Sequence, residues 1–471
     1  MKSLAALNFR AVTLGHIWLF FFGYAVFVAL LLQWALLPHL LTEFHAGDGL
    51  LIGGDWIGFH AIAAELAAKI HAQGWSSWEL RPGGQAPAGI AAALYVLAGS
   101  HPWVLVPLNA AIHATTGVVL IRIIQFFVAD LRHALVCVLP FMLFPSAMTW
   151  YAQIHKDGYY YAGIFMCLYG WLLLARLRIW KGRIGQLPLA LFLVFFGTFL
   201  IWIVRPYGVN LIQGIGAIFA LMLIPLFILR GWRRQLSLPQ TVAPILIILT
   251  IPSVLGLYKD ISIYEGRGAF ESQSALEVFS IGKHPIAAPA CVSKKLYHIS
   301  QLEIVCWQEI KWLPTSLDNS LFVLATVRAG YAQSKGTTNI DNDVHFNSAL
   351  DFIPYFPRAV QIGFAAPFPS HWFGQGSNEA NTLMRRISAM EMIGVYCALL
   401  FLPYALWLWR KNIEIWMTLS FCTILLMVYT YIVPNVGSLY RTRYGFLMML
   451  VALGIAGGIS AYQRFFRHNP D

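Results

Sequence analysis

The residues of this chain that could do chemistry recur at one kind of place, the ends of long apolar runs. Asp48 and Asp55 follow the first run, and His155, Lys156 and Asp157 separate the third from the fourth. Arg205 closes the fifth, and Arg441 and Arg443 open the last. A charge held near hydrocarbon is costly, so such groups are paired, solvated or functional. Four cations and several carboxylates drawn from distant positions to one membrane face describe a pocket for a lipid-linked anion with an acid or base beside it. If that anion is a phosphate leaving as a glycosidic bond breaks, Arg and Lys neutralise its growing charge while a carboxylate takes the proton of the attacking hydroxyl.

Each of these residues has a plainer reading beside the chemical one. Asp55 follows Gly53-Gly54 and opens a helical pattern, so it is either a general base or an N-cap worth about 1 kcal/mol. Asp48 is a second acid or a solvated loop residue, and His60, one turn beyond Asp55, bonds a phosphate or rests at headgroup level. Lys156 and Asp157 form an interfacial ion pair, or Lys156 holds the phosphate. Arg205 precedes Pro206 and either snorkels to headgroups or binds phosphate. Arg441 and Arg443 would be two outward arginines in a connection of about eleven residues, which opposes the usual charge asymmetry and needs compensation. Asp341, Asp343 and His345 alternate as D-x-D-x-H, which on an extended strand would put three metal-capable groups on one face. Short polar loops also produce that spacing by accident, and no cofactor is called for elsewhere. The chain has no phosphate-cradling Walker sequence, and Gly374-Gln375-Gly376 lacks the strand-to-helix setting of a dinucleotide loop. A soluble nucleotide sugar is thus an unsuitable donor.

The elements that must position these residues follow from composition. Of 471 residues, 58% are hydrophobic and 11% charged, which excludes a soluble globule. The net charge of +11 is spread in small basic clusters between apolar runs, so it reads as membrane orientation and not as a nucleic-acid surface. The basic lead Met1 to Arg10 precedes an apolar stretch too long for a cleaved signal core, and that stretch is expected to remain as a span. Spans are expected at about 13–38, 103–128, 134–151, 158–175, 188–204, 209–229, 241–257, 391–409, 415–433 and 445–462, with both termini cytoplasmic.

The sequence thus predicts an all-α polytopic membrane protein in three parts. An N-terminal transmembrane module, 1–257, includes a first outer loop, 39–102. An extracytoplasmic insertion of mixed, irregular structure, 258–390, precedes C-terminal transmembrane helices, 391–471. In the first loop Trp56, Phe59, Ala63, Leu66 and Ile70 recur at helical spacing, with His60, Glu65 and Lys69 off the stripe, as in a helix lying on the membrane. Ile90 to Ala98, bounded by Pro87 and Gly99, is too short to cross and reads as interfacial or re-entrant. Cys137, Cys167, Cys397 and Cys422 fall within spans, whereas Cys291 and Cys306 share the exported insertion and are a candidate disulfide. Trp75, Trp78, Phe364, Phe368, Trp372 and Phe373 suit an interfacial belt or stacking on sugar rings.

These residues carry a resemblance. Asp55, Phe59 and Ala63, spaced D-x-x-x-[YF]-x-x-x-A after a first span, look like the first outer loop of the GT-C glycosyltransferases, the group of the protein O-mannosyltransferases and the lipid A aminoarabinose transferase. Gly84 to Gly99 followed by Asn109 resembles a run and helix of that group. Pro145-Ser146 with Lys156-Asp157, and Gly437 with Arg441-x-Arg443, are similar to segments of its bacterial members. The resemblance implies a GT-C-like bundle and an inverting transferase. It would move a sugar from a polyprenyl phosphate to a glycan, lipid or protein acceptor at the outer face of a bacterial inner membrane, with Asp55 as base. Many relatives carry adjacent acidic residues where Trp56 follows Asp55 here, which argues against a metal-dependent variant. A polysaccharide polymerase or O-antigen ligase using a diphosphate-linked oligosaccharide, and a non-enzymatic flippase for lipid-linked sugars, are the rivals. The charges gather at one face and no inverted repeat is visible, which favours the transferase over a transporter.

Overall fold

The computed structural model describes residues 12–176, 183–232, 245, 248, 295–300, 303–332, 338–376 and 379–466. Most of them are helical, and the chain is a polytopic helical membrane protein. Eight helices are long and apolar enough to cross a bilayer, or nine if one bent pair is a single span, among the described residues. They overlap the expected spans, although those expected from 391 and 445 begin earlier, at Asn381 and Val436, and 134–151 is the bent pair. The span expected at 241–257 lies outside the described residues save 245 and 248.

The chain divides into two compact units. The first comprises Met1–Gly266, Ala398–Leu419 and Met448–Asp471, and the second Arg267–Cys397 and Ser420–Leu447. The C-terminal helices are shared between the two units.

In the first unit, α1 (Leu14–Leu30) is capped by Thr13, whose hydroxyl accepts from the His16 N–H, and it continues as a π-helix over Leu31–Leu40. Two helices fill the first connection, α2 (Trp56–Gln73) and α3 (Ala86–Ala98). The buried face of α2 is Trp56, Phe59, Ala63, Leu66, Ala67 and Ile70, the expected stripe with one addition, and it packs on Ala88, Ala91, Ala92 and Tyr95 of α3. Pro87 lies inside the first turn of α3, where a missing N–H costs nothing. Then come α4 (Val106–Ile124), α5 (Leu131–Leu143) and α6 (Pro145–Tyr151), the last two meeting at 64° where Pro145 follows Phe144. The helices α7 (Asp157–Ala175), α8 (Leu187–Val204) and α9 (Tyr207–Trp232) complete the series.

The central helix is α7, with 89% of its apolar window buried against 28% for that of α1. Glycines let α8 lie against it. A Cβ on Gly163 would collide with the Gly197 carbonyl, one on Gly197 would stand 2.6 Å from the Gly163 carbonyl, and one on Gly170 2.8 Å from that of Ala190. Small residues of this kind bring backbones together where no hydrophobic effect drives association.

The second unit contains a short antiparallel hairpin, β1 (Lys295–Ser300) with β2 (Glu303–Trp307), followed by α10 (Thr315–Ala332) and α11 (Phe352–Ala365). The later helices are α12 (Glu379–Leu399), α13 (Leu402–Trp409), α14 (Ile413–Ile432) and α15 (Val436–Phe466). Of these, α13 lies in the first unit and α14 and α15 contribute to both. Arg328, 1% exposed, is the polar centre of the insertion. It donates to the carbonyls of Asp341 (2.8 Å), Val344 (3.1 Å) and Tyr431 (3.2 Å) and to the Tyr355 hydroxyl (3.3 Å), so one guanidinium ties an irregular segment to α11 and α14. Cys306 lies in β2, whereas Cys291 lies outside the described residues, as does the pairing proposed for it.

Candidate functional site

The sites expected in the first unit meet at one end of its helices, because the chain alternates direction through α1, α4, the bent α5–α6 pair, α7 and α8. Between α6 and α7 the backbone over Ala152–Lys156 is neither helix nor strand and is largely buried. Buried peptide groups need partners, and uncharged side chains within the spans supply them. The Asn109 amide donates to the carbonyls of Tyr151 (3.3 Å) and Gln153 (2.9 Å), and the Gln33 amide donates to that of Ala152. The Gln153 side chain then accepts from the Leu51 N–H and donates to the Gly49 carbonyl, each at 3.2 Å. The segment carrying His155, Lys156 and Asp157 is thereby fastened to the loop carrying Asp48 and Asp55. Gln33 and Gln153 were missed by charge-based reasoning, and their signal was an amide within or beside an apolar run.

That loop is shaped by left-handed backbone. Gly47, Asp48 and Gly49 have φ of 100°, 51° and 76°, and a Cβ at Gly49 would sit 2.8 Å from Gln33 Cβ. Asp48 is thus carried at the tip of a tight turn, its side chain 59% exposed and 3.7 Å from His60 Nε2. His60 Nδ1 lies 2.8 Å from the Tyr95 hydroxyl. Burial lowers the His60 pKa, an effect that the Asp48 carboxylate opposes and His101 reinforces. A neutral imidazole therefore links α2 to α3 behind an acidic turn. Asp55 occupies the N-cap position of α2 without a capping bond from its side chain, and it is exposed. The capping alternative is thus not what the geometry provides.

Lys156 and Asp157, expected as a pair, have different environments. Lys156 Nζ lies 5.1 Å from the centre of the Phe59 ring, one helical turn past Asp55. Asp157 accepts from Arg205 Nη2 at 2.6 Å, with 7% and 9% of the two side chains exposed, and the guanidinium lies 4.8 Å over the Tyr160 ring. Of the expected cations in this unit, Arg205 is therefore matched by a buried carboxylate. Three carboxylates (Asp48, Asp55, Asp157) thus stand with two cations (Lys156, Arg205) at this end of the unit.

Arg441 and Arg443 belong to the second unit and differ from expectation in setting. They lie inside α15, which begins at Val436, and not in a connection before it. Arg443 is fully buried. Its Nη1 donates to the carbonyls of Ile362 (2.6 Å) and Gly363 at the end of α11, which compensates part of its burial. Arg441 is half-buried. Asp341, Asp343 and His345 lie on a turn and not on a strand, with Asp341 at φ 52°. The Asp341 carboxylate accepts from Arg358 (2.9 and 3.1 Å) and Tyr355 (3.0 Å). Burial raises its pKa, but the bonds and charges of Arg358, Tyr355 and Arg328 outweigh this and hold it below its ordinary value. No group of three metal-capable side chains occurs among the described residues.

No family model, curated protein or solved structure matches this chain. The likeness to the GT-C glycosyltransferases rests on the short motifs quoted above, and the chemistry must be argued from the site.

Proposed function

We propose that this protein is a glycosyltransferase that moves a sugar from a polyprenyl phosphate to an acceptor hydroxyl at the face of the membrane where α1 and α8 end. The observation that carries the reading is the grouping, at that end, of exposed Asp55 on the first-loop lid with Lys156 one helical turn away over Phe59. Asp55 takes the proton as the acceptor oxygen attacks the anomeric carbon. The bond from that carbon to the phosphate oxygen breaks with inversion, and the polyprenyl phosphate leaves with its charge facing Lys156. Arg205 contributes through the charge it shares with Asp157, and Asp48 with His60 borders the acceptor side. The basic clusters support a cytoplasmic position for both termini and an outward-facing site in a bacterial inner membrane.

The test uses the full-length protein in liposomes with a panel of polyprenyl phosphate monosaccharides, following release of polyprenyl phosphate. The Asp55→Asn variant should fold and lose turnover. Lys156→Met should lower kcat/KM by roughly 100-fold or more, the scale of losing one donor to a developing anion. Wild-type turnover by Asp55→Asn removes the assignment of the base. Movement of lipid across sealed vesicles without a new glycosidic bond overturns the enzyme reading altogether.

A further inference from the structure

Within the second unit, α11 is too short to cross a bilayer, yet its last turn is tied to three membrane-spanning helices. Arg443 of α15 donates to the carbonyls of Ile362 and Gly363, and the Tyr396 hydroxyl of α12 donates to that of Ala365 at 2.6 Å. The third tie is steric, since a Cβ on Gly363 would stand 2.7 Å from Met427 Cε and 3.0 Å from Thr430 Oγ1 of α14. Arg443 is seven residues past the start of α15 and Met427 five before the end of α14. With Thr430 two before that end, the residues of α14 and α15 that hold the end of α11 lie about 3–10 Å inside the ends of those two helices at 1.5 Å per residue. Its first turn is tied to the end of α14 as well, where the Tyr431 hydroxyl donates to the Phe352 carbonyl at 2.8 Å.

Successive residues turn by about 100°, which divides α11 into three sectors. Phe352, Tyr355, Ala359, Ile362 and Gly363 are buried against protein. Arg358 and Gln361 form a polar edge, joined to each other at 2.6 Å and to Asp341. The third sector is Ile353, Phe356, Pro357, Val360 and Phe364, all apolar, with Ile353 67% and Phe356 51% exposed. A soluble surface helix would show water two polar sectors. Here a second apolar face is held at the depth to which interfacial helices sink, roughly 5–10 Å into the headgroup and acyl boundary.

We infer that α11 is a lipid-inserted half-helix whose sector Ile353, Phe356, Pro357, Val360 and Phe364 binds the acyl chains of the adjoining leaflet. The inference depends on membrane insertion alone and not on the proposed transferase activity. It follows that the insertion rides on the bilayer, with its polar edge and the Arg358–Asp341 pair turned towards water.

The test uses full-length protein in phosphatidylcholine–phosphatidylglycerol vesicles. Unmodified protein is first irradiated with a phospholipid carrying a diazirine in its acyl chain, and the adducts are mapped by mass spectrometry. Adducts within 353–364 are expected, and their absence while the spanning helices are labelled overturns the inference. A fluorophore is then placed at Ile353→Cys, Phe356→Cys and, as a water-facing control, Asn342→Cys. Quenching by acyl-chain nitroxide should be at least twofold stronger at 353 and 356 than at 342, and iodide should show the reverse order. Iodide quenching at 353 and 356 equal to that at 342 means water, and protection from both quenchers means a protein partner or a second copy. Either result refutes lipid contact.

Discussion

Removing the Arg205 guanidinium while leaving Asp157 in place should destabilise the first unit far more than removing both charges together. The two groups are bonded at 2.6 Å, with less than a tenth of either side chain exposed. Charge centres about 4 Å apart attract by roughly 4 kcal/mol at an effective dielectric near 20. Breaking a buried pair from one side costs roughly 3–5 kcal/mol, because it strands the other charge. Native stabilities are roughly 5–15 kcal/mol, so Arg205→Met forfeits a large fraction of the total, and the lost contact with the Tyr160 ring adds to it. Asp157→Asn strands the arginine and should cost a similar amount. The double variant keeps a polar group at position 157 but no charge, and it should recover about 3 kcal/mol relative to the sum of the single losses.

Unfolding by sodium dodecyl sulfate in mixed micelles, followed by the circular dichroism of the helices, gives the four stabilities of this cycle. A coupling energy below about 1 kcal/mol would mean a solvated pair of the surface kind, and the assignment of Arg205 to a structural pairing would fail. If instead Arg205→Met is as stable as wild type while transfer is lost, the arginine serves the ligand and the phosphate role expected from the sequence is restored.

Two further outcomes follow from the packing around this pair. Gly163→Leu should splay α7 from α8, costing about 1–3 kcal/mol or more by overpacking, and it should lower stability and turnover together. Gly214→Leu, whose Cβ meets nothing within 4 Å, should be tolerated, and equal stability of the two variants would refute the close approach. Because the folded pKa of His60 lies below its ordinary value of 6.5, the unfolded chain binds more protons in the interval between the two. Its contribution is therefore fully present above that ordinary value and is lost as pH falls through the interval. The protection of α2 amides, their exchange rates taken relative to the intrinsic rate at each pH, should fall on acidification from pH about 7.5 to about 5. His60→Gln should flatten that dependence, and an unchanged profile in the variant would assign it elsewhere.

Most of the helices were legible because lipid imposes a simple rule on long segments, and the buried stripe of α2 was legible because helical periodicity fixes which residues share a face. The start of α15 was not. Arg441 and Arg443 interrupt its apolar run, and a hydropathy reading ends the helix there. The carbonyls that accept from Arg443 belong to Ile362 and Gly363, some 80 residues earlier, and no local pattern announces them. In α11 the apolar third sector is present in the sequence, but Pro354 and Pro357 read as helix breakers there, and only the ties to Arg443, Tyr396 and Tyr431 give the segment its depth.

The site was legible as a set of residues and not as a set of pairings. Asp157 and Arg205 were both named, one with Lys156 and the other with a phosphate, yet Gly163, Gly170 and Gly197 foretell the packing of α7 on α8 that joins them. The two cations consequently differ in what it costs to redirect them. Turning Arg205 towards an incoming phosphate strands Asp157, at roughly 3–5 kcal/mol. Lys156 is only half-buried, and its place over the Phe59 ring is a contact of the kind worth about 0.5–2 kcal/mol. On the proposed function, a phosphate entering this end of the unit recruits the half-buried Lys156 before the buried pair. The ligand's affinity should then track the charge at position 156 far more steeply than any conservative change at position 205 that keeps the pair intact.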